Sequence, residues 1–365
     1  MIYRSLPSHN SIDLFDKKIR FSTISSPDLL YAFYLYHVYH QDRIEKLTYQ
    51  SKSRHVFDME IIDGLYRGVF FTKGRNKAAN IAPKHCEEFF LVRKNRVVYL
   101  DNFIIREEQG YIIENYDIGS DITFIVFQVT GSNKKTAPFG LEFLLLRGYN
   151  VIACNQNNNQ YQELSYDDFQ DIISPYVKNK KVFLYGSSLG GYCAVYYAGA
   201  VNGTAIAAAP RNSLHPALSL KQDSTFKHTE LIDKELSTQP IYIFIDPHQS
   251  KDIYYLDNHI LPAYPHSTVL RFEYAGHEVL THISRTKQLS KILDAIVRND
   301  KDFLNNIDRT KTSEFTYVER AIKHFDELRK DISHFNELKS RHISAEKKML
   351  KLTEQLHALI EKLDI

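Results

Sequence analysis

Ser188 lies at the centre of Gly186-Ser187-Ser188-Leu189-Gly190, a G-x-S-x-G pattern with a specific setting on either side. Before it runs the apolar, strand-like Val182-Phe-Leu-Tyr185. After it, Gly191-Tyr-Cys-Ala-Val-Tyr-Tyr-Ala198 reads as an apolar helix. A serine at the apex of such a turn is held in a strained backbone conformation. Glycines two residues to either side remove the Cβ atoms that would keep strand and helix apart. The helix N-terminus offers unpaired N–H groups and a positive dipole end to a developing oxyanion. The chemistry that suits this arrangement is attack by the serine oxygen on a carbonyl carbon.

A serine hydroxyl is a poor nucleophile until a base takes its proton, and that base needs an acid to orient it. The chain supplies both in the order Ser, Asp, His. His277, in Tyr274-Ala-Gly-His277-Glu278, follows the last strand-like run and is the candidate base. Two aspartates follow the penultimate run: Asp246, in Ile-Asp-Pro at its end, and Asp252 six residues on. Asp252 ranks first because the acid normally sits a few residues past its strand. The helix length before the last strand argues for Asp246. The oxyanion would be met by the backbone N–H of Leu189 and a second N–H from Thr130-Gly131-Ser132, with Gly131 and Ser132 named for their position after an earlier strand.

The elements that must position these groups alternate along the middle of the chain. Ile122–Thr130 is a nearly continuous apolar run, as a strand buried on both faces requires. A helix near 139–147 ends at Gly148, followed by a strand at 150–154, a polar loop, a helix over 166–177, and then the serine turn. Strands at 203–210, 241–245 and 268–274 follow, with a helix near 251–261 between the last two and another at about 279–298. This rhythm predicts a doubly wound, mostly parallel α/β sheet. Residues 217–239 are polar and mixed, as a lid-like insertion would be. Upstream, Pro27-Asp28 opens what reads as a helix over Leu29–Leu47, and runs at 89–92, 96–100, 103–105 and 111–113 read as hairpin strands. Residues 1–120 are therefore taken as an α+β extension, 121–300 as the core and 301–365 as a helical tail. Residues 303–365 contain neither Gly nor Pro. Met349, Leu352, Leu356, Leu359 and Leu363 repeat at three- and four-residue steps, a coiled-coil seam through which the chain would self-associate.

Composition bounds the partners. Among 365 residues, 46 Lys and Arg face 44 Asp and Glu, a net charge of +2, so no global field recruits nucleic acid or anionic lipid. No basic patch is interleaved with aromatics, and no phosphate-cradling glycine loop or metal-ligand spacing occurs, so neither nucleic acid nor a metal is expected. Three cysteines without pairing or metal spacing fit a reducing compartment. With no apolar leader and no run long enough to span a bilayer, the expected location is cytoplasmic.

Over roughly residues 121–300 the chain resembles the α/β-hydrolase superfamily, on the serine pentapeptide, the post-strand aspartates and Gly276-His277. More narrowly, Ser188-Leu-Gly-Gly-Tyr192, Ala208-Ala-Pro210-Arg-Asn-Ser-Leu-His-Pro216 and Ala275-Gly-His277 are similar to α/β-hydrolase proteins of bacterial capsule and surface-glycan loci, some of them polysaccharide O-acetyltransferases. The resemblance implies a serine acyl enzyme with no bound cofactor, acetyl-CoA as a possible acyl donor and a carbohydrate acceptor. A carboxylesterase is the alternative. On that view Arg211 and His215 would hold an anionic group such as a glycan or CoA phosphate. The competing class is a scaffold that keeps a hydrolase-like core and works through its tail.

Overall fold

The computed structural model describes residues 10–38, 43–75, 82–218, 226–310, 325 and 352–357. Two compact units divide the chain, Met1–Thr310 and Lys311–Ile365. Of the second, residues 352–357 are helical; the rest of the proposed coiled-coil seam, including Met349, Leu359 and Leu363, lies outside the described residues. No helix among the described residues is long and apolar enough to cross a membrane.

The first hundred described positions form strands only. A three-stranded sheet has the order β1 (Ser11–Phe15), β2 (Lys18–Ser22), β5 (Arg54–Val56). A five-stranded antiparallel sheet runs β4 (Arg43–Gln50), β3 (Leu29–His37), β6 (Gly64–Gly74), β7 (Lys84–Arg93), β8 (Arg96–Tyr99). The two share an aromatic core in which Phe21 stacks on Phe70 at 4.7 Å and meets Phe57 edge-on at 4.9 Å. The helix expected over 29–47 is therefore two strands. Tyr31, Phe33 and Leu35 are buried while Tyr34 and Tyr36 are half-exposed. That is a period of two, which crowded Tyr and Phe favour over a helical stripe.

The main sheet has eight strands in the order β9 (Asp101–Glu107), β10 (Tyr111–Asp117), β12 (Asn150–Gln156), β11 (Ile122–Phe127), β13 (Lys181–Ser187), β14 (Thr204–Ala208), β15 (Ile241–Ile245) and β16 (Thr268–Arg271). Spatially, β12 precedes β11. β10 alone runs opposite in direction to the other seven strands. The sheet thus begins at Asp101, not at 121, because β9 and β10 pair into it rather than into the upstream hairpins. Helices α1 (Leu141–Leu145), α2 (Tyr166–Val177), α3 (Leu189–Tyr196), α4 (Ser250–Tyr255), α5 (Val279–Arg285), α6 (Leu289–Arg298) and α7 (Lys301–Asn305) complete the unit. The single helix expected over 279–298 is broken between α5 and α6, where Lys287 turns at φ 59°. β11 to β15 are almost wholly buried and form the floor on which the site is built.

The strand layers meet the main sheet at α1. Glu142 Oε1 accepts the Leu65 backbone N–H at 2.8 Å and lies 3.4 Å from His37 Nε2. Arg93 donates to the carbonyls of Leu146 at 2.6 Å and Arg147 at 3.2 Å, satisfying acceptors that the helix end leaves open.

Candidate active site

Ser188 is the hinge between β13 and α3, with φ 54° and ψ −117°. A non-glycine residue there is strained by about 1–3 kcal/mol, and such strain persists only where the surroundings over-determine it. They do so here. The Ser188 N–H donates to Ala208 O at 2.8 Å, and its carbonyl accepts from Tyr192 at 2.9 Å and Arg211 at 3.2 Å. The two flanking glycines are required by contact. A Cβ on Gly186 would stand 2.3 Å from Gly190 C, and one on Gly190 would stand 2.4 Å from Phe127 O.

His277 reaches this serine from the loop after β16. Its Nε2 lies 2.8 Å from Ser188 Oγ, and its Nδ1 lies 2.7 Å from Asp252 Oδ2. The hydroxyl therefore points its proton at Nε2 while Nδ1–H is held by the carboxylate. Asp252, in the first turn of α4, is fully buried. Its second oxygen, Oδ1, accepts from Arg211 Nη1 at 2.8 Å. Asp246, also buried, does something else: its Oδ1 accepts the His248 N–H at 2.9 Å and its Oδ2 the Gly276 N–H at 2.6 Å. It pins the loop that carries His277 without touching the imidazole. The two aspartates that the sequence left in competition thus occupy different places.

Leu189 opens α3, where the helix supplies no acceptor for its N–H. Of the second proposed pair, Ser132 is engaged elsewhere. Its N–H faces Val129 O at 3.4 Å, its hydroxyl donates to the same carbonyl at 2.8 Å, and it accepts from Gln156 Nε2 at 3.1 Å. A short polar turn closes on itself here, which removes Ser132 as an oxyanion donor. Gly131 remains, exposed and at φ 84°.

His215 does not fit the anion-binding role expected of it. It is buried, and its Nε2 lies 3.2 Å from Glu230 Oε1, so its partner is already a carboxylate. Burial, and then the neighbouring His259, push its pKa below the ordinary histidine value, so it is neutral near pH 7. His259 Nδ1 meets Glu230 Oε2 at 3.3 Å, and the ligand atoms of these three residues lie within 4.8 Å of one another. They stand 15 and 29 residues apart in sequence, so local spacing could not reveal the group. The bonding is that of a carboxylate shared by two imidazoles. His215 Nδ1 accepts the Ala217 N–H at 3.2 Å, which leaves the ring proton on Nε2, whereas a metal-bound histidine normally donates its other N–H outward. Arg211 and Asp252 stand 41 positions apart in sequence, so local spacing gives no sign of their pairing either.

With its one antiparallel strand second in the sheet and its serine turn after the fifth, the strand order gives the chain its resemblance to α/β-hydrolases. No protein-family model matches it, and neither does any curated protein. Among solved structures it is similar to the capsule O-acetyltransferase of Neisseria meningitidis serogroup A, at 18% identity and TM-score 0.35 over 49% of this chain and 89% of that one. It is similar also to an α/β serine hydrolase homologue from Coxiella burnetii, at 14% identity and TM-score 0.33 over 55% and 96% of the two chains. A dienelactone hydrolase from Anabaena variabilis matches at 12% identity and TM-score 0.31 over 47% and 82%. These likenesses are slight, and the description of the fold rests on the strand order itself.

Proposed function

We propose that the protein is a serine acyl enzyme in which Ser188 is the nucleophile, His277 the general base and acid, and Asp252 the orienting acid. The observation that carries this reading is the relay Ser188 Oγ, His277 Nε2, His277 Nδ1, Asp252 Oδ2, with links of 2.8 and 2.7 Å. In the first half-reaction Ser188 Oγ gives its proton to His277 Nε2 and bonds to the acyl carbon. The leaving thiol or alcohol departs with that proton. In the second, an incoming hydroxyl gives its proton to His277, attacks the acyl-serine and releases Ser188. Leu189 N–H, with Gly131 N–H as the second donor proposed from its position, would hold the tetrahedral oxyanion.

The acyl group proposed is acetyl, and the acceptor a hydroxyl of a bacterial capsular or surface polysaccharide. Support for this narrower step comes from the sequence resemblance around Ser188-Leu-Gly-Gly-Tyr192 and Ala208 to Pro216, to proteins of capsule and surface-glycan loci. Acetyl-CoA would be the donor and would be consumed as a substrate. The test is to incubate the protein with acetyl-CoA, with and without de-O-acetylated capsular polysaccharides, and follow free thiol release. Acceleration by a glycan, with acetyl appearing on it, supports transfer. Thiol release at one rate regardless of glycan assigns water as the acceptor and makes the protein a hydrolase that cleaves the thioester.

A further inference from the structure

We infer that Arg211 is a positioning residue of this site, acting through Asp252, an inference that rests on the relay reading above. Asp252 is fully buried, and among the described residues its carboxylate has two side-chain partners, one per oxygen: His277 on Oδ2 and Arg211 on Oδ1. A buried carboxylate is tolerated only when paired and hydrogen-bonded. The permanently charged partner of this carboxylate is Arg211, whose Nη1 lies 2.8 Å from Oδ1. It also fixes geometry. Its backbone N–H donates to Ser188 O at 3.2 Å while its Nη1 bonds Asp252 at 2.8 Å, so one residue ties the nucleophile's turn to the acid's helix. Ala209, at φ 42°, and Pro210 lead from the end of β14 directly into Arg211. The Arg211 side chain retains 27% exposure, leaving it at the rim of the site.

Without Arg211, the Asp252 Oδ1 is left unpaired in the interior. The carboxylate is then free to rotate away from His277, and Nδ1–H loses its fixed acceptor. Loss of the correct imidazole tautomer costs the rate of the chemical step, not the binding of a donor. This separates the inference from the role expected from sequence, an anion site for a phosphate. An anion site would raise KM for charged donors only.

The experiment compares wild type, Arg211→Gln, Arg211→Lys, Asp252→Asn and the Arg211→Gln/Asp252→Asn double variant. It reads hydrolysis of the uncharged ester p-nitrophenyl acetate and the rate of fluorophosphonate labelling of Ser188 across a pH series. Arg211→Gln should lower kcat about 100-fold with KM within about twofold. Arg211→Lys, which restores the charge and one bond, should recover about tenfold of that loss. In the Asp252→Asn background the Arg211→Gln change should add less than about threefold, since both act through one group. Near-ultraviolet circular dichroism of each variant separates loss of folding from loss of rate, and the lysine variant keeps the test open if the glutamine variant unfolds. The inference is overturned if Arg211→Gln labels as fast as wild type, if its loss of ester hydrolysis is confined to KM, or if the two changes are additive. A wild type that does not label at Ser188 overturns the relay reading and this inference together, an outcome distinct from a labelled wild type with an indifferent Arg211.

Discussion

The two carboxylates beyond β15 divide the site between them. Asp252 faces the imidazole and Asp246 faces the backbone of the loop that delivers it. Different losses should follow. Asp252→Asn puts an amide opposite Nδ1–H and should cut kcat about 10,000-fold at little cost in stability. Asp246→Asn removes one of two bonds to backbone N–H groups and leaves the other without charge assistance. It should cost about 1–3 kcal/mol of stability and a much smaller part of the rate, read from urea melts and ester hydrolysis on the same preparations. Equal rate losses would reject this division. The sequence made Ser188 and His277 legible because turn chemistry is local and glycines mark it. It could rank Asp252 over Asp246 only narrowly, because the decision depends on where α4 turns each side chain. Arg211 was legible as a charged residue near the site but not as the partner of Asp252. That pairing spans two connections of the sheet.

At the scale of elements, the serine turn is a packing problem solved by absent side chains. Gly190→Ala would push a methyl into Phe127 O, a backbone atom that cannot step aside, and should cost about 3 kcal/mol while abolishing labelling of Ser188. Soluble, wild-type-like behaviour of that variant would contradict the structure. The insertion before β15 is anchored by His228, which stacks on Tyr196 at 4.5 Å against the back of α3. Tyr192 OH donates to its Nδ1 at 2.8 Å, and Nε2–H donates to Tyr161 O at 3.0 Å. Both nitrogens are used by the neutral ring. Burial lowers its pKa from the ordinary 6.5 to about 4. Between those values the unfolded chain binds a proton that the folded chain refuses. Stability is therefore undiminished by this group above about pH 6.5, and falls by about 3 kcal/mol as the pH drops to about 4. Urea melts over that range should show the decline, and His228→Gln should flatten it. A wild-type curve without that slope would refute the anchor. The α/β elements were readable because buried parallel strands are continuous apolar runs. The 29–47 region misled because a dense aromatic run fits a helix or a strand until its alternation is weighed.

At the scale of the molecule, the strand layers and the main sheet are joined through Glu142. Glu142→Ala strips the acceptor from the buried Leu65 N–H and should lower stability by about 1–3 kcal/mol without changing the rate of Ser188 labelling in the folded protein. A change in labelling rate would instead couple the strand layers to the site. The tail expectation covers residues 301–365, of which Lys301–Asn305 are helix α7 of the first unit and Lys311–Ile365 form a separate one. We propose that it governs self-association. Sedimentation of the full chain beside one ending at Thr310 should give a smaller assembly for the shorter form, and equal assemblies would dismiss the proposal. The start of the main sheet at Asp101 was not legible, since β9 and β10 look like any hairpin until their partners in space are known.

The most direct test of the account is the intact mass of the protein after brief exposure to a fluorophosphonate, run beside Ser188→Ala and His277→Ala. The account predicts one adduct on wild type, none on Ser188→Ala and slow labelling of His277→Ala. No adduct on wild type, or an adduct that survives in Ser188→Ala, would contradict Ser188 as the nucleophile and the proposed function with it.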